Sequence, residues 1–168
     1  MQNINLTQFL LLVFPIYLII GAIFDVLTLK IPNNYILIGL FLFVPIAVFA
    51  GFTFNDMLFN LLVGIAILLI SFGAYAAGVF GGGDSKFMAV IALWIGFEPL
   101  PEFLLYTGII GGVMALGVLI GGRFVPVHLQ PAFFKTMHQR RVVPYGTAMS
   151  LATLLVYQDT AIWKFFMS

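Results

Sequence analysis

Residues 80–86 read Phe80-Gly-Gly-Gly-Asp84-Ser-Lys86, three glycines followed by an acid and a base in a chain with very little charge. Before them, Met57–Gly83 runs 27 residues without a charged side chain. After them, only 11 residues separate Lys86 from Glu98. A carboxylate is expensive near lipid, so an acid at such a place marks a functional-site candidate by default. Its meaning depends on what surrounds it.

The surroundings are those of an integral membrane protein. Of 168 residues, 62% are hydrophobic and 8% charged, whereas soluble domains carry about 25% charged residues. Mean hydropathy is +1.15. Seven bases and six acids are too few to cover a water-soluble fold. By length the chain is one domain, residues 1–168. No basic block is long enough to track phosphates, so no nucleic-acid partner is expected. Cysteine is absent, which removes disulfides, thiolate catalysis and cysteine-rich zinc modules. With His128 and His138 as the two histidines, neither a metal site nor another cofactor is expected. No basic region precedes Leu6–Phe24 and no small-residue cleavage site follows it, so it reads as a retained span.

The charges punctuate the chain. Leu6–Phe24 is 19 uncharged residues, Tyr35–Phe54 is 20, Phe103–Gly122 is 20 and Val142–Gln158 is 17. Together with Met57–Gly83 and a short span from Asp84 to Pro99, they predict an all-α bundle of six transmembrane helices, each needing about 20 residues for a ~30 Å core. With six spans, Lys30, Lys86, Arg123, Lys135, Arg140 and Arg141 share one side. Asp56, Glu98, Glu102, Asp159 and Lys164 fall on the other. Excess Lys/Arg marks the cytoplasmic side, so both termini are expected on the non-cytoplasmic side. Gly108, Gly111, Gly112 and Ala115 fall on one face of the fifth span, where small residues let helices approach. Arg123–Val142 is expected along the cytoplasmic interface.

Asp25 and Asp84 both fall on the basic side. From Asp84 to Pro99 a helix rises only ~22 Å, which sets Asp84 below the surface in a wet cavity or thins the bilayer. Glycines suit that place, because irregular backbone at membrane depth must be buried or line water and glycine allows close approach. A helix starting there directs its positive end at the carboxylate. Two carboxylates in a low-dielectric cavity tend to share one proton. That arrangement suits peptide hydrolysis, one ionised aspartate activating water while the protonated one polarises the carbonyl. The same acids also fit the relay of a proton-coupled transporter, or a structural subunit in which they balance Lys30 and Lys86. Short length and no internal repeat count against the transporter.

Three blocks carry a family resemblance. Asp25-Val-Leu-Thr-Leu-Lys-Ile-Pro-Asn33 resembles the first block of the type IV prepilin peptidases. Gly81-Gly-Gly-Asp84-Ser-Lys86 resembles their G-x-G-D signature with lysine two residues on. Val143-Pro-Tyr-Gly146 with the following Thr-Ala resembles their C-terminal block. The resemblance implies an intramembrane aspartic endopeptidase of the bacterial inner membrane, with Asp25 and Asp84 as the catalytic pair. It would remove the short basic leader of a prepilin substrate at the cytoplasmic face, within the lipid bilayer. The size is that of the minimal branch serving tight-adherence (Flp-type) pili. Larger members carry a cytoplasmic domain, often with four cysteines and zinc, and N-methylate the trimmed pilin. About ten residues join the first two spans here, and methyltransferase activity is not expected. Leu27 and Leu29 stand where polar or basic residues are common in the family.

Supporting residues carry alternatives. Gly81 and Gly83 belong to the signature. Lys86 either eases the charge of the pair, meets substrate, or anchors topology. Pro32 and Asn33 read as the start of the second span, with proline early in the helix or an Asn33 or Asn34 cap. Pro144, Tyr145 and Gly146 are candidates to line the cavity, with Tyr145 reaching the acids.

Overall fold

The computed structural model describes residues 6–78, 81–124, 137 and 142–167. Regular structure among them is helical throughout. The helices are α1 (Leu6–Thr28), α2 (Asn33–Phe49), α3 (Phe54–Ala76), α4 (Gly82–Ile95), α5 (Leu100–Phe124) and α6 (Tyr145–Val156). A 3₁₀ turn (Tyr157–Asp159) and α7 (Ala161–Met167) follow. Three stretches are long and apolar enough to cross a membrane, Phe9–Thr28, Phe54–Ala76 and Leu100–Ile120. The remaining helices are shorter: α2 has 17 residues, α4 14 and α6 12. The protein is a helical membrane protein. The stretch Arg123–Val142, expected along the interface, lies largely outside the described residues.

Local chemistry sets the helix ends. Helix α1 stops at Leu29, which takes φ +53° and donates its N–H to the Asp25 carbonyl at 2.8 Å. This is a left-handed cap of the kind that favours glycine or asparagine, made here by leucine. Helix α3 opens with a reciprocal capping box, in which Thr53 Oγ1 accepts from the Asp56 N–H and Asp56 Oδ2 accepts from the Thr53 N–H. At the far end of α4, Gly96 turns the chain with φ +74°. Buried Asn60 donates its Nδ2–H to the Leu93 carbonyl at 3.1 Å, satisfying a group that a helix end leaves unpaired.

Helix α4 lies at the centre, packed against α2, α3 and α6. Phe87, Met88, Val90, Ile91, Ala92, Leu93, Trp94 and Ile95 are all buried, the pattern of a helix covered on every side. Fourteen residues span ~21 Å. Surrounded by protein, α4 has no need to match the bilayer thickness by itself. Trp94 stacks on Phe14 of α1 with centroids 4.3 Å apart and donates its indole N–H to the Gly39 carbonyl of α2 at 2.9 Å. Ser71 and Ser85 exchange hydroxyl-to-carbonyl bonds between α3 and α4, at 3.3 and 3.0 Å. Tyr17 and Tyr35 stack at 4.5 Å, and each hydroxyl donates to the other's carbonyl.

The closest approaches are made where a side chain is missing. A Cβ on Gly64 would stand 3.1 Å from the Ala89 carbonyl and 3.2 Å from Leu93 Cβ; one on Gly39 would strike the Tyr17 hydroxyl and Val90 Cγ1. The expectation for the fifth span needs correcting here. Gly111 does meet α6, since a Cβ there would reach the Tyr145 ring at 2.8 Å, but among the described residues nothing lies within 4 Å of a Cβ on Gly108 or Gly112. The partner of α5 is the short helix α6, which meets the stripe at Gly111 and leaves these two glycines uncovered. Gly39→Leu is therefore expected to lower stability by about 1–3 kcal/mol through overpacking. Gly112→Leu should change it by less than about 0.5 kcal/mol, both read from thermal unfolding in detergent.

Candidate active site

Asp25 lies near the end of α1 and is 3% exposed. Its Oδ2 accepts from the Thr147 N–H at 2.9 Å and lies 3.4 Å from Thr147 Oγ1. The Gly146 backbone also lies beside this carboxylate. Gly146 and Thr147 belong to the first turn of α6, where N–H groups lack the usual helical acceptor four residues back; the Thr147 N–H is shared with the Pro144 carbonyl at 3.2 Å. Asp25 thus caps α6 from another helix, at its positive end. Pro144 prepares that end: with φ −73° and ψ 82° it occupies an inverse γ-turn, closed by the Tyr145 N–H on the Val143 carbonyl at 2.9 Å. Gly146 has to be small, because a Cβ there would lie 2.9 Å from Asp25 Oδ2 and 2.7 Å from Ile31 Cδ1.

Asp84 is the third residue of α4, and Gly81 is its N-cap. The carboxylate folds back over Gly81, close to its backbone. A Cβ on Gly81 would stand 2.7 Å from Asp84 Oδ2. An acid at this third helical position is placed as in a capping box, here over a residue with no side chain to return the bond. Asp84 is half-buried and close enough to Asp25 for the two charges to interact. Acids from α1 and α4 therefore share one site at the start of two helices.

Buried Ile31 joins the three sequence blocks. Its side chain meets Gly146, and its backbone lies 3.5 and 3.6 Å from a Cβ placed on Gly83. Gly83 is less constrained than Gly81, since those distances are ordinary contact. Ile31 and Thr147 had no assigned role in the sequence reading. A threonine directly after Pro-Tyr-Gly, in the first turn of a helix, was the available signal.

Two expectations about the rim change. Pro32 is itself the N-cap residue of α2, with extended backbone and no side-chain cap. Asn33 does not cap: its Oδ1 accepts from Lys86 Nζ at 2.8 Å, which ties the start of α2 to the start of α4. Among the described residues no ion pair joins Lys86 to either aspartate. The Tyr145 ring packs against Gly111 of α5. The Lys86–Asn33 pair is exposed, so a double-mutant cycle with Lys86→Met and Asn33→Ala should give a coupling of about 0.2–1 kcal/mol in thermal unfolding.

The sequence profile of the type IV leader peptidase family matches residues 12–116, which include both aspartates. The prepilin leader peptidase/N-methyltransferase of Bacillus subtilis (strain 168) is 27% identical over 159 residues, 92% of this chain and 57% of that protein. The protein of the same description from Aeromonas hydrophila is 26% identical over 72 residues, 43% of this chain and 20% of that protein. The chain thus spans little more than half the length of the first and a fifth of the second. No solved structure matches. The profile covers more than half of the chain, and the chain belongs to the type IV leader peptidase family.

Proposed function

We propose that the chain is an intramembrane aspartic endopeptidase. It removes the short basic leader of type IV prepilins of the Flp class at the cytoplasmic face, using Asp25 and Asp84. The observation that carries this reading is the placement of two carboxyl groups, from α1 and α4, close enough for their charges to interact in a chain of this family. The Thr147 N–H holds Asp25, and Asp84 lies folded over Gly81.

The chemistry follows from a shared proton. The ionised carboxylate takes a proton from water as its oxygen attacks the scissile carbonyl, and the protonated carboxyl donates to the carbonyl oxygen. Collapse of the tetrahedral adduct breaks the C–N bond as a carboxyl proton passes to the leaving nitrogen. The reading includes six membrane crossings with both termini away from the cytoplasm, the shorter α4 covered by its neighbours and α6 packed against α1 and α5. Packing on every side of α4 supports the recessed position for Asp84. The relatives' names also include N-methyltransferase; the proposal is confined to the peptidase step.

The test is cleavage of a purified Flp-type prepilin by the full chain in lipid vesicles. Asp25→Asn and Asp84→Asn should each lower cleavage by at least about 100-fold, in line with the loss of an acid or base. Gly146→Ala should also lose about 100-fold, because its methyl group displaces the Asp25 carboxylate. Gly83→Ala, in ordinary contact with Ile31, should stay within about threefold of wild type, the change expected where a new methyl group fits without strain. Undiminished cleavage by both asparagine variants would overturn the reading.

A further inference from the structure

We infer that Thr147 is a positioning residue for Asp25, gripping one carboxylate oxygen from its main chain and its side chain together. The inference rests on the reading of Asp25 as catalytic. The Thr147 N–H donates to Asp25 Oδ2 at 2.9 Å, and Oγ1 lies 3.4 Å from the same oxygen. The hydroxyl also lies 3.2 Å from the carbonyl of Ala22, one turn before Asp25 on α1. The hydroxyl therefore has two acceptors within reach, the carboxylate and a carbonyl of the helix that carries it.

The local chemistry makes this hold specific. A buried aspartate has little water to orient it, and its two side-chain torsions leave several rotamers open. Threonine is stiff at χ1, so a backbone fixed in the first turn of α6 also fixes the direction of Oγ1. Proximity effects are steep, and an error of about 1 Å in a reacting group costs on the order of 100-fold. The competing role is purely architectural: Thr147 would join α6 to α1 through Ala22 and leave the chemistry alone.

Steady-state cleavage of a purified Flp-type prepilin by the full chain in lipid vesicles separates the two. Thr147→Val keeps the shape and the main-chain N–H but removes the hydroxyl. It should lower kcat about tenfold, the effect of one hydrogen bond to a charged group, with KM within about twofold of wild type. Thr147→Ser should recover kcat to within about threefold. An unchanged kcat in Thr147→Val would overturn the inference, as would a serine variant no faster than valine. If the valine variant does not fold, Thr147→Ala replaces it. Failure of both to fold would assign the residue to the helix joint alone, which also overturns the inference. A wild-type chain that does not cleave would instead overturn the peptidase reading, and this inference with it.

Discussion

The carboxylate of Asp25 satisfies the first turn of α6, and much of the structure follows from that one interaction. Helix starts carry N–H groups with no partner of their own, and leaving such a donor unpaired in an apolar interior costs about 1–3 kcal/mol. Asp25 supplies the acceptor from 122 residues away. The same contact holds the carboxylate in place, because its Oδ2 is committed to Thr147 and its surroundings are closed by Ile31 and Gly146. A stabilising interaction and a reactive group's position are therefore one feature.

Asp84 is placed by a different device. Its helix is buried by neighbours on every side, so the helix can be short and begin within the protein. Gly39 and Gly64 let α2 and α3 close on it, and the Trp94 stack on Phe14 anchors its lower half. At its start, the acid curls over a residue without a side chain. The two carboxyl groups thus meet at two helix N-termini, where unpaired N–H donors stand in for the water that burial removes.

Much of this was legible in the residue pattern, and the exceptions have physical reasons. Composition and charge spacing marked a helical membrane protein, because exclusion of charge from lipid acts along the chain. Among the described residues three stretches meet the length and hydropathy needed for crossing; the shorter α4 is covered by protein neighbours. The glycines of the fifth span looked alike in sequence, yet Gly111 meets a partner while Gly108 and Gly112 do not. A stripe of small residues records where close approach is possible, and the partner's length decides where it happens. Asn33 followed the same logic: its local potential to cap was outcompeted by Lys86, a partner 53 residues away.

Local and chain-wide rules were enough to identify the two acids, the helical membrane architecture and the glycines beside Asp84, because the cost of charge in lipid and the constraints on backbone shape depend on neighbours in sequence. The assembled fold was needed for the rest: which carboxylate oxygen Thr147 holds, why Gly146 is constrained more tightly than Gly83, and how Ile31 joins the three blocks. Those outcomes turn on distances of a few ångströms between α1, α4 and α6, segments that are remote in the chain. Contacts of that kind arise only when packing fixes the helices against one another.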